Sequence, residues 1–154
     1  MTLAHSPHSH PHPHPHPHPH PQHPNADTLR AIYADLTTIE RYCSENVLLH
    51  PANRRIGDPP IVGRTAVGNH ERTLVAMTGE TLTMDVECIA ANDLFGTVLG
   101  VLRAGPPPAR IAMPFCGMWR FDQRLIVEHW ENPYNAESLA SALEALGQPT
   151  ETNP

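Results

Sequence analysis

The sequence predicts an α+β domain behind a tail that cannot fold with it. Three observations lead there. Apolar residues recur at helical spacing early in the domain and again over 65–77. From 81 to 131 the pattern changes to strand-like alternation and apolar runs. The first 24 residues are dominated by alternating His and Pro. Helices first, then a run of strands joined by short turns, argue for an antiparallel α+β arrangement rather than a parallel sheet.

The tail comes first. Residues 10–21 read HPHPHPHPHPHP, and nine of the twelve His lie between His5 and His23. Pro at every second position removes amide donors and fixes φ, which excludes helix and sheet. An extended, polyproline-like, disordered segment over 1–24 is expected. Its imidazoles, among them His10, His12, His14, His16, His18 and His20, suit Ni, Cu or Zn. The domain is expected over 25–148, and 149–154 as a disordered C-terminus. Roughly 120 to 130 residues are enough for one core and too few for two.

Within the domain, Asn25 or Asp27 can cap a helix, and Leu29, Ile32, Tyr33 and Leu36, then Ile39, Tyr42 and Cys43, carry the helical period. One helix or two short ones should cover about 26–44, with Asn46 as the stop. Val47–His50 is a short strand ended by Pro51, and PANRRIGDPP over 51–60 is loop. Ile61–Gly63 is a brief strand, and Thr65–Met77 is a helix stopped by Gly79. Over 81–91, Leu82, Met84, Val86 and Cys88 alternate with polar residues, as in a half-buried strand. LFGTVLGVLR over 94–103 is apolar on both faces and suits a central strand. GPPP over 105–108 is a turn. Residues 110–121 and 124–131 form a hairpin around Asp122-Gln123, and Ala136–Leu146 closes the chain as a helix.

Composition removes several function classes. The net charge is −6, all ten basic residues are Arg, and no basic patch is visible, which argues against nucleic acid. Without Lys, Schiff-base chemistry and P-loop phosphate binding are excluded. Cys43, Cys88 and Cys116 have no CxxC spacing, so buried free thiols in a reducing compartment are expected. No apolar run reaches membrane-spanning length and no secretory h-region opens the chain, so a cytoplasmic protein without membrane contact is expected.

Two stretches carry a family likeness. One is Glu45-Asn46-Val47-Leu48-Leu49-His50-Pro51 leading to Val62-Gly63-Arg64-Thr65-Ala66-Val67. The other is Gly117-Met118-Trp119-Arg120-Phe121 leading to Ile126-Val127-Glu128-His129-Trp130-Glu131-Asn132. With the element order, they make the chain resemble the SnoaL-like, nuclear transport factor 2-like superfamily. That resemblance covers essentially all of 26–146. It implies a cone-shaped α+β barrel: a curved antiparallel or mixed sheet wrapped around N-terminal helices, with a deep apolar pocket open at one end. It also implies a homodimer through the sheet's outer face. The fold hosts ketosteroid isomerases, polyketide cyclases, epoxide hydrolases, dehydratases and non-catalytic binders, so it leaves the reaction open.

His50, Glu131 and His129 are the candidate catalytic residues. The resemblance places His50 near the point where ketosteroid isomerases carry their carboxylate, and a neutral imidazole there is a competent base near pH 7. A His that only ties down the 51–60 loop is the alternative. Strand alternation puts His129 and Glu131 on one face. Similarity to epoxide hydrolases of this fold places Glu131 near their catalytic acid, where burial would raise its pKa. His50 and Glu131 are therefore expected to face one cavity as a base and acid pair. Met113, Phe115, Gly117 and Trp119 share a strand face, either as the pocket wall, with Gly117 leaving room for a flat ligand, or as core. Arg103 would hold a ligand oxygen or be solvated. His70 and Asp85 are expected at the surface.

Two departures matter. Gly117 stands where the isomerases and cyclases carry their acid. Leu49 and Pro51 stand where the epoxide hydrolases carry Tyr and Asn. Neither mechanism transfers whole. His50, His70 and His129 show no metal-ligand spacing, so no metal is expected in the domain and no cofactor for the reaction. The leading expectation is an enzyme for a small apolar ligand, working by general acid–base isomerisation, cyclisation, dehydration or epoxide opening. A non-catalytic ligand-binding or assembly module, and a metal-handling protein acting through the tail, are the alternatives.

Overall fold

A computed structural model describes residues 22–108 and 110–147. The expectations for the His-Pro run over 10–21 and for residues 149–154 lie outside the described residues.

The first helix, α1 (Pro24–Ala34), begins earlier than expected and stops sooner. Its cap is neither Asn25 nor Asp27. The His23 imidazole accepts the Asn25 amide, and Pro24 takes a first-turn position where a missing N–H costs nothing. His23 and Pro24 are therefore part of the domain rather than the tail. Asn25 is buried and donates from its side chain to the Asn92 carbonyl, pinning α1 to the turn at 92–94. The helix ends at Asp35, whose backbone is extended and whose carboxylate accepts the Thr37 amide at 3.0 Å. A 3₁₀ turn, Leu36–Tyr42, follows.

Strand β1 (Cys43–His50) therefore starts at Cys43, a residue expected in the helix, and Asn46 lies inside the strand. After β2 (Ile61–Val62) comes α2 (Arg64–Met77). The long strands are β3 (Thr83–Ala91), β4 (Phe95–Ala104), β5 (Ile111–Asp122) and β6 (Leu125–Pro133), and α3 (Ala136–Gly147) ends the described chain. The β5–β6 turn lies one residue later than expected. Gln123 and Arg124 occupy it, both at positive φ, as a two-residue primed turn demands.

The six strands form one curved, unclosed, mixed sheet in the order β2-β1-β6-β5-β4-β3. Among the described residues only the β1–β6 pairing is parallel. The apolar 95–104 strand lies between β5 and β3, as its two-faced pattern predicted. The alternation in β3 does not run through. A bulge between Val86 and Cys88 lets Val86 face Gly100 and Cys88 face Leu99, so Cys88 is exposed rather than buried.

The helices pack on the concave side. Leu29, Ile32 and Ile39 meet Val47, Leu49, Val98, Trp119, Phe121 and Ile126 in the main core. Each such fully buried apolar side chain contributes about 1.5–3 kcal/mol. A smaller cluster joins Leu102 and Ala104 to Leu139 of α3. Among the described residues no helix is long and apolar enough to cross a membrane.

Candidate active site

A cavity of about 250 Å³ opens where these two clusters meet. Tyr33 of α1, Leu74 of α2, Leu102 of β4, Phe115 of β5 and Leu139 of α3 line its apolar wall. Tyr33 stacks on Phe115 with ring centroids 5.6 Å apart. Gly117 gives Tyr33 its place, since a Cβ there would lie 2.2 Å from the Tyr33 hydroxyl oxygen. Burial pushes that phenol far above its ordinary value, so it stays protonated and can donate to a ligand oxygen. The Trp119 indole N–H is buried without an acceptor of good geometry, although the Tyr33 hydroxyl lies beside it.

The polar groups of the cavity converge from α2 and β6. His129 and Glu131 point inward on alternate residues of β6, and His70 and Glu71 reach in from α2. The His70 Nε2 lies 3.1 Å from Glu131 Oε1, and the Ala52 amide donates to Glu131 Oε2 at 2.7 Å. Burial alone would raise the Glu131 carboxyl. The His70 hydrogen bond and charge, with His129 and the Ala52 amide, outweigh it and hold Glu131 below the usual carboxylate range. His70 is correspondingly raised: burial lowers it, but the bond and charge of Glu131 more than compensate. Arg54 steadies this end of β6 by donating to the Glu131 carbonyl and to Asn132 Oδ1.

Glu71 behaves in the opposite way. It is 3% exposed, and burial, then repulsion from Glu131, pushes its carboxyl up to about 8. At neutral pH it is a protonated acid. His129 is also buried. Its Nδ1–H donates to the Met118 carbonyl at 3.0 Å, and its ring stacks on Trp119 with centroids 3.5 Å apart. Burial drives its pKa down to about 4, so the imidazole is neutral and Nε2 keeps a lone pair. A ring nitrogen of His129 and one oxygen each from Glu71 and Glu131 lie within 4.8 Å of one another.

Several expectations need correction. His50 and Glu131 do not share a cavity. The parallel register sets His50 opposite Trp130, one residue out of phase with Glu131. His50 therefore stacks on Trp130 and bonds Glu128 Oε1 at 2.9 Å on the sheet's outer face. Glu131 has a lowered pKa rather than the raised one expected of an acid, because His70 bonds it. His70, expected at the surface, is half-buried inside the site. Arg103 pairs with Asp85, which is exposed as expected, and does not line the cavity. Met113 packs in the smaller core cluster, while Phe115, Gly117 and Trp119 line the cavity.

Sequence reasoning missed Glu71. The signal was present: Val67, Glu71 and Leu74 fall at i, i+4 and i+7 of α2, so a carboxylate sits on the stripe that faces the core.

No protein-family model matches the chain, and no curated protein matches it significantly. Solved structures do. A nuclear transport factor 2-like protein of unknown function from Cytophaga hutchinsonii superposes with a TM-score of 0.57 at 11% identity, over 71% of this chain and 96% of that one. IdmH, a candidate polyketide cyclase from Streptomyces antibioticus, gives 0.59 at 22% identity, over 77% and 97%. TerC, co-crystallised with polyporic acid, gives 0.62 at 14% identity, over 79% and 99%. The curved mixed sheet, the helices on its concave side and these neighbours together give the chain the nuclear transport factor 2-like α+β fold.

Proposed function

We propose that the chain is a small-molecule enzyme that moves protons on an apolar, carbonyl-bearing substrate by general acid–base catalysis. One observation carries this reading. A buried carboxyl, Glu71, and a half-buried one, Glu131, share one apolar cavity, and their surroundings push their pKa values apart, Glu131 down and Glu71 up. Such a split assigns the roles of base and acid near neutral pH. Glu131, held by His70 and the Ala52 amide, takes a proton from carbon. Glu71 delivers one to oxygen, and Tyr33 donates a hydrogen bond to the same part of the substrate. His129 holds a neutral ring against Trp119. The fold neighbours that act on or bind small organic molecules, a candidate polyketide cyclase and a polyporic acid complex, agree with this class of chemistry.

The test is hydrogen–deuterium exchange of 4-phenylbutan-2-one next to its carbonyl, followed by NMR. Exchange should exceed that in buffer, follow a bell-shaped pH profile with its upper limb near the Glu71 value of about 8, and fall roughly 10²–10⁴-fold in Glu131→Gln. Binding of the ketone without exchange would instead indicate a non-catalytic ligand-binding module.

A further inference from the structure

We infer that Glu71, His129 and Glu131 form a binding position for a single oxygen, a substrate hydroxyl or a water, so that the chemistry of this cavity is the addition or removal of water. The inference rests on the acid–base reading above and narrows it to one reaction class.

Distance comes first. Three atoms that all lie within 4.8 Å of one another leave a point no more than about 2.8 Å (4.8 divided by √3) from each. That is an ordinary hydrogen-bond length to oxygen. The position therefore admits an oxygen-bearing molecule.

Donors and acceptors point the same way. His129 spends its Nδ1–H on the Met118 carbonyl, so its other nitrogen offers a lone pair. Glu131 is an acceptor already holding a paired charge, with His70 against it. Glu71 is buried, makes no hydrogen bond among the described residues, and carries the acidic proton. One donor and two acceptors complement a water molecule, which accepts one hydrogen bond and donates two. A substrate hydroxyl accepts from Glu71 and donates to one of the acceptors. A buried polar site with two to four partners is the kind that holds an ordered water. A dication would meet one carboxylate already neutralised by His70 and a second carboxyl that carries a proton.

The reaction follows for a β-hydroxy ketone. Glu131 removes a proton from the carbon beside the carbonyl, and the C–H electron pair becomes the new C=C bond. The C–O bond breaks, its electron pair leaves with the oxygen, and the Glu71 proton completes the departing water. The proton on Glu131 then returns to Glu71, so each turnover is balanced without an oxidant or reductant. The reverse steps hydrate an enone.

The full chain should convert 4-hydroxy-4-phenylbutan-2-one into the conjugated enone, read by its ultraviolet absorbance. Glu71→Gln should lower this elimination at least about tenfold more than it lowers exchange on 4-phenylbutan-2-one, which has no hydroxyl to release. Equal effects on both reactions would overturn the inference. Exchange on the deoxy ketone without elimination from the hydroxy ketone would also overturn it and leave the acid–base reading standing, whereas neither reaction would remove both. A crystal structure of the wild-type chain supplies a readout independent of the variant. Oxygen density within hydrogen-bond distance of all three side chains supports the site, and an anomalous manganese peak there after soaking refutes it.

Discussion

Glu71 makes stability depend on pH in a direction opposite to that of an ordinary paired carboxylate. Its pKa rises from 4.5 to about 8 on folding. Between those values the folded chain holds a proton that the unfolded chain releases, so stability falls as pH rises and the loss is complete only above about pH 8. At about 1.4 kcal/mol per pKa unit, the loss between pH 5 and pH 7 is about 2–3 kcal/mol, and the limiting loss is about 5 kcal/mol. Glu71→Gln keeps the shape and removes the titration. Urea unfolding of both proteins, in steps from about pH 5 to pH 8.5, isolates the effect as the difference between them. The variant should gain on the wild type by about 2–3 kcal/mol from pH 5 to pH 7. A difference that stays constant with pH would show that Glu71 is not protonated in the folded cavity, and the acid would have to be sought elsewhere.

Other outcomes follow from the same geometry. His70→Ala removes the hydrogen bond and charge that lower Glu131, so the acidic limb of the exchange profile should move to higher pH. Glu131 also contributes stability that is present above its unfolded pKa and lost as pH falls through its folded one, so the variant should be less stable than the wild type near neutral pH and the gap should close in acid; an unmoved limb would exclude His70 as the residue that positions Glu131. Gly117→Ala sets a Cβ 2.2 Å from the Tyr33 hydroxyl and should cost about 1–3 kcal/mol by forcing the phenol aside. Chemical denaturation checks the cost, and unchanged stability with Tyr33 in place in a crystal structure would refute it. Leu99 and Met118 are exposed on the outer face of the sheet, 43% and 50%, and a homodimer burying them is expected. Sedimentation should find a dimer at micromolar concentration and a monomer for Met118→Arg, and a wild-type monomer would count against the interface.

The sequence by itself determined the order of helices and strands, because periods of 3.6 and 2 are local properties of the chain, but not every boundary, since Cys43 and Asn46 belong to β1. The internal place of β4 was legible in the two apolar faces of residues 94–103, and the shared face of His129 and Glu131 in their spacing of two, while the inward direction of that face was implied only by the family resemblance. Phe115, Gly117 and Trp119 were legible as one strand face for the same reason, and the structure makes that face both cavity wall and core. What depended on register was not legible. Whether His50 faces the cavity is settled by the parallel β1–β6 pairing, in which a shift of one residue turns a side chain to the other face. The β3 bulge turns Cys88 outward by the same geometry. The acid and base were also hidden, since a pKa depends on neighbours distant in sequence. Glu131 follows His70 across 61 residues, and Glu71 owes its raised value to burial under a core that α1, α2 and the sheet build together. Only the tertiary structure places those groups within reach of one another, and electrostatic interaction in an apolar cavity decides which carboxyl holds the proton.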